Sequence, residues 1–318
     1  MQKLLLKLVL FLLPIPVVIG IAEHRLGQVR NSYTVKRDLV QIATNCEVLV
    51  LGSSHALLGV NPAAFSRPSL NMANNSQLLY HDTQILHRFA PGLPKLKVVI
   101  FPISYFSLES DPGIGPESWR TFLYRQYYGI PANRWQARLD LKNYSKLALY
   151  GHRAFHYLLF LPDDLVGFIS DTGWLPRDTD PIRAAGIIND QTGQARVRFH
   201  HELMREEYRT ENIRYLRDGI EYCLRHGITP VLLTLPVYRT YADHVNEKKL
   251  AWQQAYLRNL ATEYRLTYRD YLTDSRFSEA DFSDNDHLSR QGAEKFSRII
   301  DDEILRPVAP TEAPQLGL

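Results

Sequence analysis

The sequence predicts an α/β protein built on a doubly wound, parallel, five-stranded sheet. Short apolar runs typical of buried strands recur along the chain, and helical patterns separate most of them. Strands alternating with helices at this spacing favour parallel pairing, with helices on both faces of the sheet. The predicted strands cover residues 47–51, 69–72, 96–101, 228–235 and 266–271.

Helical patterns lie between these strands and after the last one. Gly227 follows one of these patterns, and glycine commonly ends helices. Ser289 begins the last pattern, and serine commonly caps helix N-termini. The predicted helices cover residues 78–89, 214–225, 248–264 and 289–305.

The N-terminal segment has the composition of a membrane segment. A run without charge follows Lys3 and Lys7 and extends to Ala22, close to the length of about 20 residues that a bilayer requires. We favour an uncleaved transmembrane anchor over residues 1–22. A cleaved signal peptide remains open, because Gly20 and Ala22 form a small-x-small site. In both interpretations the rest of the chain lies outside the cytoplasm.

The remaining chain is predicted to form one domain, residues 23–306, followed by a disordered tail. Residues 23–45 read as a short amphipathic helix leading from the membrane to the first strand. Residues 107–205 do not fit the strand–helix alternation and are rich in Trp and Tyr, so we predict a cap inserted between strands three and four. The tail, 307–318, contains three prolines.

Composition narrows the function classes. The chain has 318 residues, and its net charge of +3 is too small to indicate nucleic-acid binding. Gly-rich nucleotide motifs are absent, and histidines such as His200 and His201 lack a Cys or carboxylate constellation, so we predict no cofactor and no metal site. We interpret Cys46 and Cys223 as separate buried thiols, although one disulfide remains open.

Two polar blocks near the ends of the chain carry the candidate chemistry. Residues 51–55 read Leu-Gly-Ser-Ser-His and follow the first predicted strand, whereas residues 284–287 read Asp-Asn-Asp-His and precede the last helix. A serine hydroxyl is a weak nucleophile that needs a base, and the base needs an orienting partner. His287 is the candidate base and Asp284 its partner, and the two blocks can share the carboxyl edge of the sheet.

These blocks resemble those of the SGNH (GDSL-like) hydrolase superfamily. In that family a Gly-Asp-Ser block after the first strand supplies the nucleophile, and an Asp-x-x-His block stands near the end of the domain. The resemblance, which covers roughly residues 45–305, implies a flavodoxin-like sheet. It assigns Ser54 as nucleophile with Ser53 in place of the family Asp, and it makes Asp284 and His287 the other members of a catalytic triad.

Candidate oxyanion donors and substrate-binding groups follow the second and third strands. Asn74, Asn75 and Ser76 form a polar turn where the family uses a Gly, although turn chemistry alone also accounts for them. The family's Gly-x-Asn-Asp block is missing after strand three. Ser104 or Tyr105 stands there as a replacement donor.

Three further polar residues lie next to the triad. His55 either binds the leaving group or is an exposed packing residue. Asp281 and Asp286 are interpreted as solvated loop carboxylates.

The resemblance extends to the membrane-anchored branch of the family, which includes the teichoic-acid D-alanylation protein DltD and accessory proteins of polysaccharide O-acetylation. It implies a single-pass protein of the inner (cytoplasmic) membrane with an extracytoplasmic domain. A membrane-bound O-acyltransferase would supply an acyl group, and an acyl-Ser54 intermediate would pass it to a cell-envelope polysaccharide or related polymer. A carbohydrate esterase and a non-catalytic scaffold are the alternatives.

The aromatic cap bears on the choice between transfer and hydrolysis, because a lid that excludes water favours transfer. We expect a minority of the cap aromatics to line the cleft at Ser54. The residues considered are Trp119, Tyr124, Tyr127, Tyr128 and Trp135.

Overall fold

The computed structural model describes residues 2–160, 169–178 and 187–307. Five strands form one sheet in the order β2-β1-β3-β4-β5, and every neighbouring pair is parallel. The predicted doubly wound, five-stranded parallel sheet is therefore confirmed. The strands are β1 (Val48–Val50), β2 (Ser69–Asn71), β3 (Val98–Pro102), β4 (Thr229–Thr234) and β5 (Thr267–Asp270).

Helices precede the sheet, connect its strands and close the described chain. They are α1 (Gln2–Leu12), α2 (Pro14–Gly27), α3 (Ser32–Ile42), α4 (Ser54–Gly59), α5 (Leu79–Phe89), α6 (Arg120–Leu123), α7 (Trp135–Arg138), α8 (Lys146–Tyr150), α9 (Ala154–Phe160), α10 (Asp190–Leu203), α11 (Arg209–Arg225), α12 (Arg239–Ala242), α13 (Glu247–Tyr264) and α14 (Arg290–Ile300). Single π-helical turns follow α6 at Tyr124–Tyr128 and α14 at Asp301–Leu305.

Successive strand side chains point to opposite faces of the sheet. Both faces are buried, because helices pack against each of them. Leu49, Val99 and Leu232 belong to one apolar cluster, which also contains residues of α5, α11 and α13. The neighbouring positions Val48 and Val98 belong to a second cluster on the other face, with residues of α4 and α14. The continuous apolar runs of the central strands are explained by this two-sided burial.

The predicted strands agree with the structure to within one or two residues. The prediction of a single helix over residues 23–45 was wrong. This segment divides into the end of α2 and the separate helix α3. Asn31 interrupts it, since its side chain accepts hydrogen bonds from the backbone N–H groups of Tyr33 and Thr34 and so begins a new helix. Ser289 caps α14 as predicted.

The N-terminal helices include a stretch, Leu10–Gly27, that is long and apolar enough to cross a membrane by length and composition. Only a small share of that stretch is buried against the rest of the protein. Helix α2 continues five residues past the predicted boundary at residue 22, and this extension carries the contacts to the insertion that are described below.

The predicted insertion lies between β3 and β4, and its two ends are fastened together. Ser110 and Met204 form an antiparallel bridge, and the backbone N–H of Arg205 donates to the carbonyl of Glu109. Parts of the insertion, residues 161–168 and 179–186, lie outside the described residues, as does the predicted disordered tail from residue 308 onward. Cys46 and Cys223 are free and buried, in agreement with the favoured interpretation.

A close backbone approach fixes helix α14 against the loop that precedes it. A Cβ added to Gly292 would lie 1.9 Å from the carbonyl oxygen of Asp281, so the position requires glycine. The loop between these residues is closed by a bridge between Phe282 and Leu288. It carries Asp284 and His287, and glycine at this helix start therefore supports the placement of both side chains.

We predict that Gly292→Ala destabilises the folded domain by about 1–3 kcal/mol, because the added methyl group has to displace α14 or the loop. Urea unfolding of the detergent-solubilised protein measures the change. Gly92→Ala is the matched control, since nothing lies within 4 Å of the added Cβ, and it should change stability by no more than about 0.5 kcal/mol. Equal stability of the two variants would contradict the prediction.

Candidate active site

The turn after β1 places the Ser54 side chain at the sheet edge. Gly52 has φ +108°, and a Cβ there would lie 3.0 Å from the Pro102 ring, so glycine alone fits without strain. The Gly52 N–H donates to Asp82 Oδ1 over 2.8 Å. Ser53 caps α4 by accepting the backbone N–H of His55. Ser54 is therefore the first residue of α4.

The structure brings Ser54, His287 and Asp284 together. Ser54 Oγ lies 2.8 Å from His287 Nε2, and His287 Nδ1 lies 2.9 and 3.0 Å from the two Asp284 carboxylate oxygens. Asp284 also accepts the backbone N–H of His287, so the loop geometry and the side-chain geometry reinforce each other. The three side chains have the mutual arrangement of a nucleophile, its base and an orienting acid.

Asp284 is held in its charged form. Burial alone would raise its pKa, but the hydrogen bond and charge of His287 and the nearby Arg177 guanidinium hold that pKa below its usual value. A carboxylate at this place accepts the Nδ1–H of His287. The Nε2 atom is then left as the acceptor for the Ser54 hydroxyl, which is the tautomer that a general base requires.

Ser54 and His287 open onto a cleft of about 300 Å³, at the lower end of the range for ligand sites. Most of its described lining comes from the insertion, through residues 110–120, Arg177 and residues 196–203. The lining is mixed in character. Apolar side chains include Leu58, Phe106 and Phe199, and charged ones include Glu117, Arg120, Arg177 and Arg196.

Two of the predicted oxyanion or substrate-binding candidates line this cleft, namely Asn75 and Ser76. Ser76 has a left-handed backbone (φ +54°), which is uncommon for a residue other than glycine and recurs at functional turns. Asn74 is fully buried instead, and its amide donates to the hydroxyl of Tyr128 over 3.4 Å.

The other two candidates are not among the described lining of the cleft. Ser104 is buried and its hydroxyl contacts His55 Nδ1 at 3.0 Å. The Tyr105 hydroxyl lies 2.7 Å from His201 Nε2 and accepts the backbone N–H of Asn246. The structure thus separates Ser104 and Tyr105 from the Ser54 hydroxyl, because these two side chains turn into the protein.

A second Ser–His–Asp chain, not expected from the sequence, lies beneath the first. Asp286 Oδ2 is 3.1 Å from His55 Nε2, His55 Nδ1 is 3.0 Å from Ser104 Oγ, and Ser104 Oγ is 3.3 Å from Ser53 Oγ. The His55 ring meets the His287 ring edge to face, with centroids 5.1 Å apart. The signal was present in the two polar blocks, since Ser53 and His55 flank Ser54 and Asp286 adjoins His287.

The interpretations of His55, Asp281 and Asp286 are corrected by this arrangement. All three are buried, with none left on a solvated loop. Asp281 pairs with Lys295 at 2.9 Å and accepts from Ser278. Buried carboxylates of this kind need partners, and the sequence alone did not show which cations would reach them.

Asp286 stays charged because cations and donors surround it. Burial would raise its pKa, but His287, His55 and Arg196 hold that pKa well below its usual range. Arg196 Nε donates to both carboxylate oxygens, at 3.0 and 2.8 Å. Burial lowers the pKa of His55 despite Asp286, so His55 is neutral, with its Nε2–H donated to Asp286 and its Nδ1 accepting from Ser104.

His55, Asp286 and His287 are also the one group with metal-ligand spacing in the part of the chain that the structure describes, with their ligand atoms within 4.8 Å of one another. These atoms already have partners. Arg196 and His55 occupy the Asp286 oxygens, while Asp284 and Ser54 occupy the His287 nitrogens. An adjacent guanidinium also opposes a bound cation, so the donor set fits a hydrogen-bonded network better than a metal.

A protein-family model matches residues 194–309, which is less than half of the chain. No curated protein matches the sequence. Solved structures that match include the crystal structure of a Bacteroides fragilis protein described as a candidate acylhydrolase, with 11% sequence identity and a TM-score of 0.40. That match covers 82% of this chain and 86% of the other.

We predict that the contribution of the buried Asp82 carboxyl, which accepts the Gly52 N–H, to the stability of the fold depends on pH. Burial raises the pKa of Asp82 to about 7, although Gln77 and the Gly52 N–H donate to it; the unfolded value is about 3.9. The stability from the protonated carboxyl is therefore complete below pH 4 and is lost as the pH rises through 7. Asp82→Asn keeps an acceptor and cannot ionise.

The stability of Asp82→Asn relative to the wild-type protein should rise between pH 5 and 8, by roughly 2–3 kcal/mol. Urea unfolding of both proteins at several pH values measures this difference, in which the titration of other groups cancels. A difference that stays constant with pH would show that Asp82 does not titrate in this range.

Proposed function

We propose that the protein is a serine acyl-transfer enzyme that works through an acyl-Ser54 intermediate. Its substrate would be an ester donor, and its acceptor a hydroxyl of a cell-envelope polysaccharide or related polymer. The proposal depends on one observation, the 2.8 Å contact between Ser54 Oγ and His287 Nε2 in series with Asp284.

In the proposed first half-reaction the Ser54 oxygen attacks the ester carbonyl carbon while its proton passes to His287 Nε2. Asp284 stabilises the imidazolium that forms. The tetrahedral intermediate collapses when the carbon–oxygen bond of the leaving group breaks, and His287 returns the proton to the departing alkoxide. In the second half an acceptor hydroxyl loses its proton to His287, attacks the acyl carbon and releases Ser54 with its proton restored.

The negative charge on the tetrahedral oxygen needs donors that are already in place, each worth roughly 2.7–4 kcal/mol. We propose the Ser54 backbone N–H and polar groups of Asn75 and Ser76, because these two residues line the cleft with Ser54. Arg177 and Arg196 also line it, and both are tied to acids of the 284–287 block.

We further propose that helices α1 and α2 form a single-pass anchor in the inner (cytoplasmic) membrane, with the sheet domain outside the cytoplasm. The length and composition of Leu10–Gly27 support this placement. The family resemblance favours a membrane-bound O-acyltransferase as the source of the acyl group.

Ester hydrolysis of the same polymers is the second candidate, and the position of the cap aromatics favours it. None of the five residues considered for a lid lines the cleft, so that expectation was wrong. Tyr124, Tyr127 and Tyr128 are buried in the core cluster with Tyr33, and the two tryptophans are exposed. The three tyrosines lie outside the cleft because they pack in the core on one face of the sheet. The composition of the segment did not show where in the fold they pack.

We predict that Ser54→Ala abolishes acyl-enzyme formation and lowers the cleavage of p-nitrophenyl acetate about a thousandfold or more, because the nucleophile is lost. Ser53→Ala is the matched control and should retain activity within about tenfold, since Ser53 contacts Ser104 and not His287. Intact-protein mass spectrometry detects the acyl adduct. An adduct in Ser54→Ala would show that another residue is acylated, and no adduct in the wild-type protein would favour a scaffold.

We predict that Phe199, one of the two phenylalanines of the cleft, limits transfer of the acyl group to water instead of sugar. Phe199→Ala should raise the ratio of free acid to acylated oligosaccharide severalfold, because it opens the cleft to water. Trp135→Ala, at an exposed position outside the cleft lining, should leave the ratio unchanged. Free acid as the sole product of the wild-type protein with an acceptor present would establish the esterase.

A further inference from the structure

The insertion exposes a group of large apolar side chains on one short stretch of chain. Each is between 57% and 74% exposed, which is unusual for residues of this size so close together. Two of them, four residues apart on α9, share one side of that helix. We call this group the apolar face: Trp135, Leu139, Leu141, Tyr144, Phe155 and Leu159.

The apolar face belongs to the part of the insertion that is fixed to α2. Glu23 accepts hydrogen bonds from the Ser145 hydroxyl at 2.5 Å and from the backbone N–H groups of Lys146 and Leu147 at 2.8 and 3.1 Å. One side chain of the N-terminal helix thus caps the first turn of α8. This contact joins α2 to the segment that separates Tyr144 from α9.

A small apolar cluster strengthens the same junction. Leu26 and Val29 are buried against Ala154 and Tyr157 of α9. Phe155 lies between these two α9 residues in sequence and is exposed, so α9 presents one side to α2 and another to the surroundings. Helices α2, α8 and α9 therefore hold a fixed relation to one another.

The depth of this junction follows from the burial along α2. Exposed apolar side chains continue to Ile21, Ala22 is buried, and Glu23 is the first acidic residue of the chain. With a rise of about 1.5 Å per residue, Leu26 stands roughly 7 Å beyond Ile21. The polar layer on each side of a bilayer core is about 5–8 Å thick. If the apolar run spans the core, α8 and α9 lie at the level of that layer.

The charge of the segment suits an anionic lipid surface. Residues 138–156 contain four basic residues and one acidic residue, Asp140. Arg25 and Arg30, which follow the apolar run in the sequence, are also exposed. Basic residues next to exposed Trp, Tyr, Leu and Phe are the composition of surfaces that settle into a membrane interface.

We propose that the apolar face is seated in the interfacial layer of a bilayer that contains anionic lipid. This inference rests on the proposed membrane placement of α1 and α2 and adds a second point of attachment, made by the insertion. Two attachments would hold the insertion at a fixed orientation to the membrane. Because the insertion also supplies most of the described cleft lining, the opening at Ser54 would be held at a fixed orientation as well.

The test uses the full-length protein in phosphatidylcholine vesicles with and without phosphatidylglycerol. Single cysteines at Leu139→Cys and Phe155→Cys carry an environment-sensitive fluorophore, and nitroxide lipids act as quenchers. Val17→Cys reports on the anchor, and Asn259→Cys, an exposed position on α13, is the matched control. The native cysteines are buried and burial raises their pKa, to about 12 for Cys46, so they should not react in the folded protein.

We expect shallow nitroxide lipids to quench the labels at 139 and 155 at least twofold, and deep ones to quench the label at 17. The label at 259 should respond only to aqueous iodide. Quenching at 139 and 155 should weaken without phosphatidylglycerol, and an equal response in both vesicles would overturn the role of anionic lipid.

Labels at 139 and 155 that behave like the label at 259, while the label at 17 is quenched, would overturn the proposed membrane seat and leave the anchor intact. That result would assign the apolar face to a protein partner or a second copy of the chain. Loss of quenching at 17 as well would overturn the anchor itself.

Discussion

The parallel pairing of all five strands determines the geometry of the site, because it places the carboxyl ends of β1 and β5 at the same edge of the sheet. Ser54, which follows β1, can then meet His287, which lies 233 positions later in the chain. Gly52 is the local condition for this meeting. Its positive φ and the nearby Pro102 ring exclude a side chain at this position, and its N–H donates to a buried carboxyl, Asp82.

Two carboxylates lie beside one histidine in the site, and arginines of the insertion reduce the repulsion between them. Asp284 and Asp286 would repel each other in a buried site, but each is paired with an arginine from the insertion, Arg177 for the first and Arg196 for the second. The insertion therefore does more than cover the cleft, since its arginines add to His287 and His55 in lowering the pKa values of these acids. The second acid is used to hold His55 beneath the His287 ring.

The same insertion connects three regions of the molecule. Its tyrosines complete one face of the sheet, its arginines reach the acids of the site, and its helices α8 and α9 fix the end of α2. One segment therefore contacts the sheet, the candidate site and the N-terminal helix, which a sheet of five paired strands does not need for its own closure.

The fold class and the triad candidates could be predicted from the sequence because they depend on local patterns. An apolar run of four or five residues marks a buried strand, and the Gly-Ser-Ser and Asp-x-x-His blocks mark positions next to strand or helix ends. Long-range contacts leave no such local mark. The packing of the elements decided the partners of Asp286, the inward turn of Ser104 and the burial of Tyr124. In the sequence, a polar or aromatic side chain is equally compatible with exposure to solvent and with burial among hydrogen-bond partners.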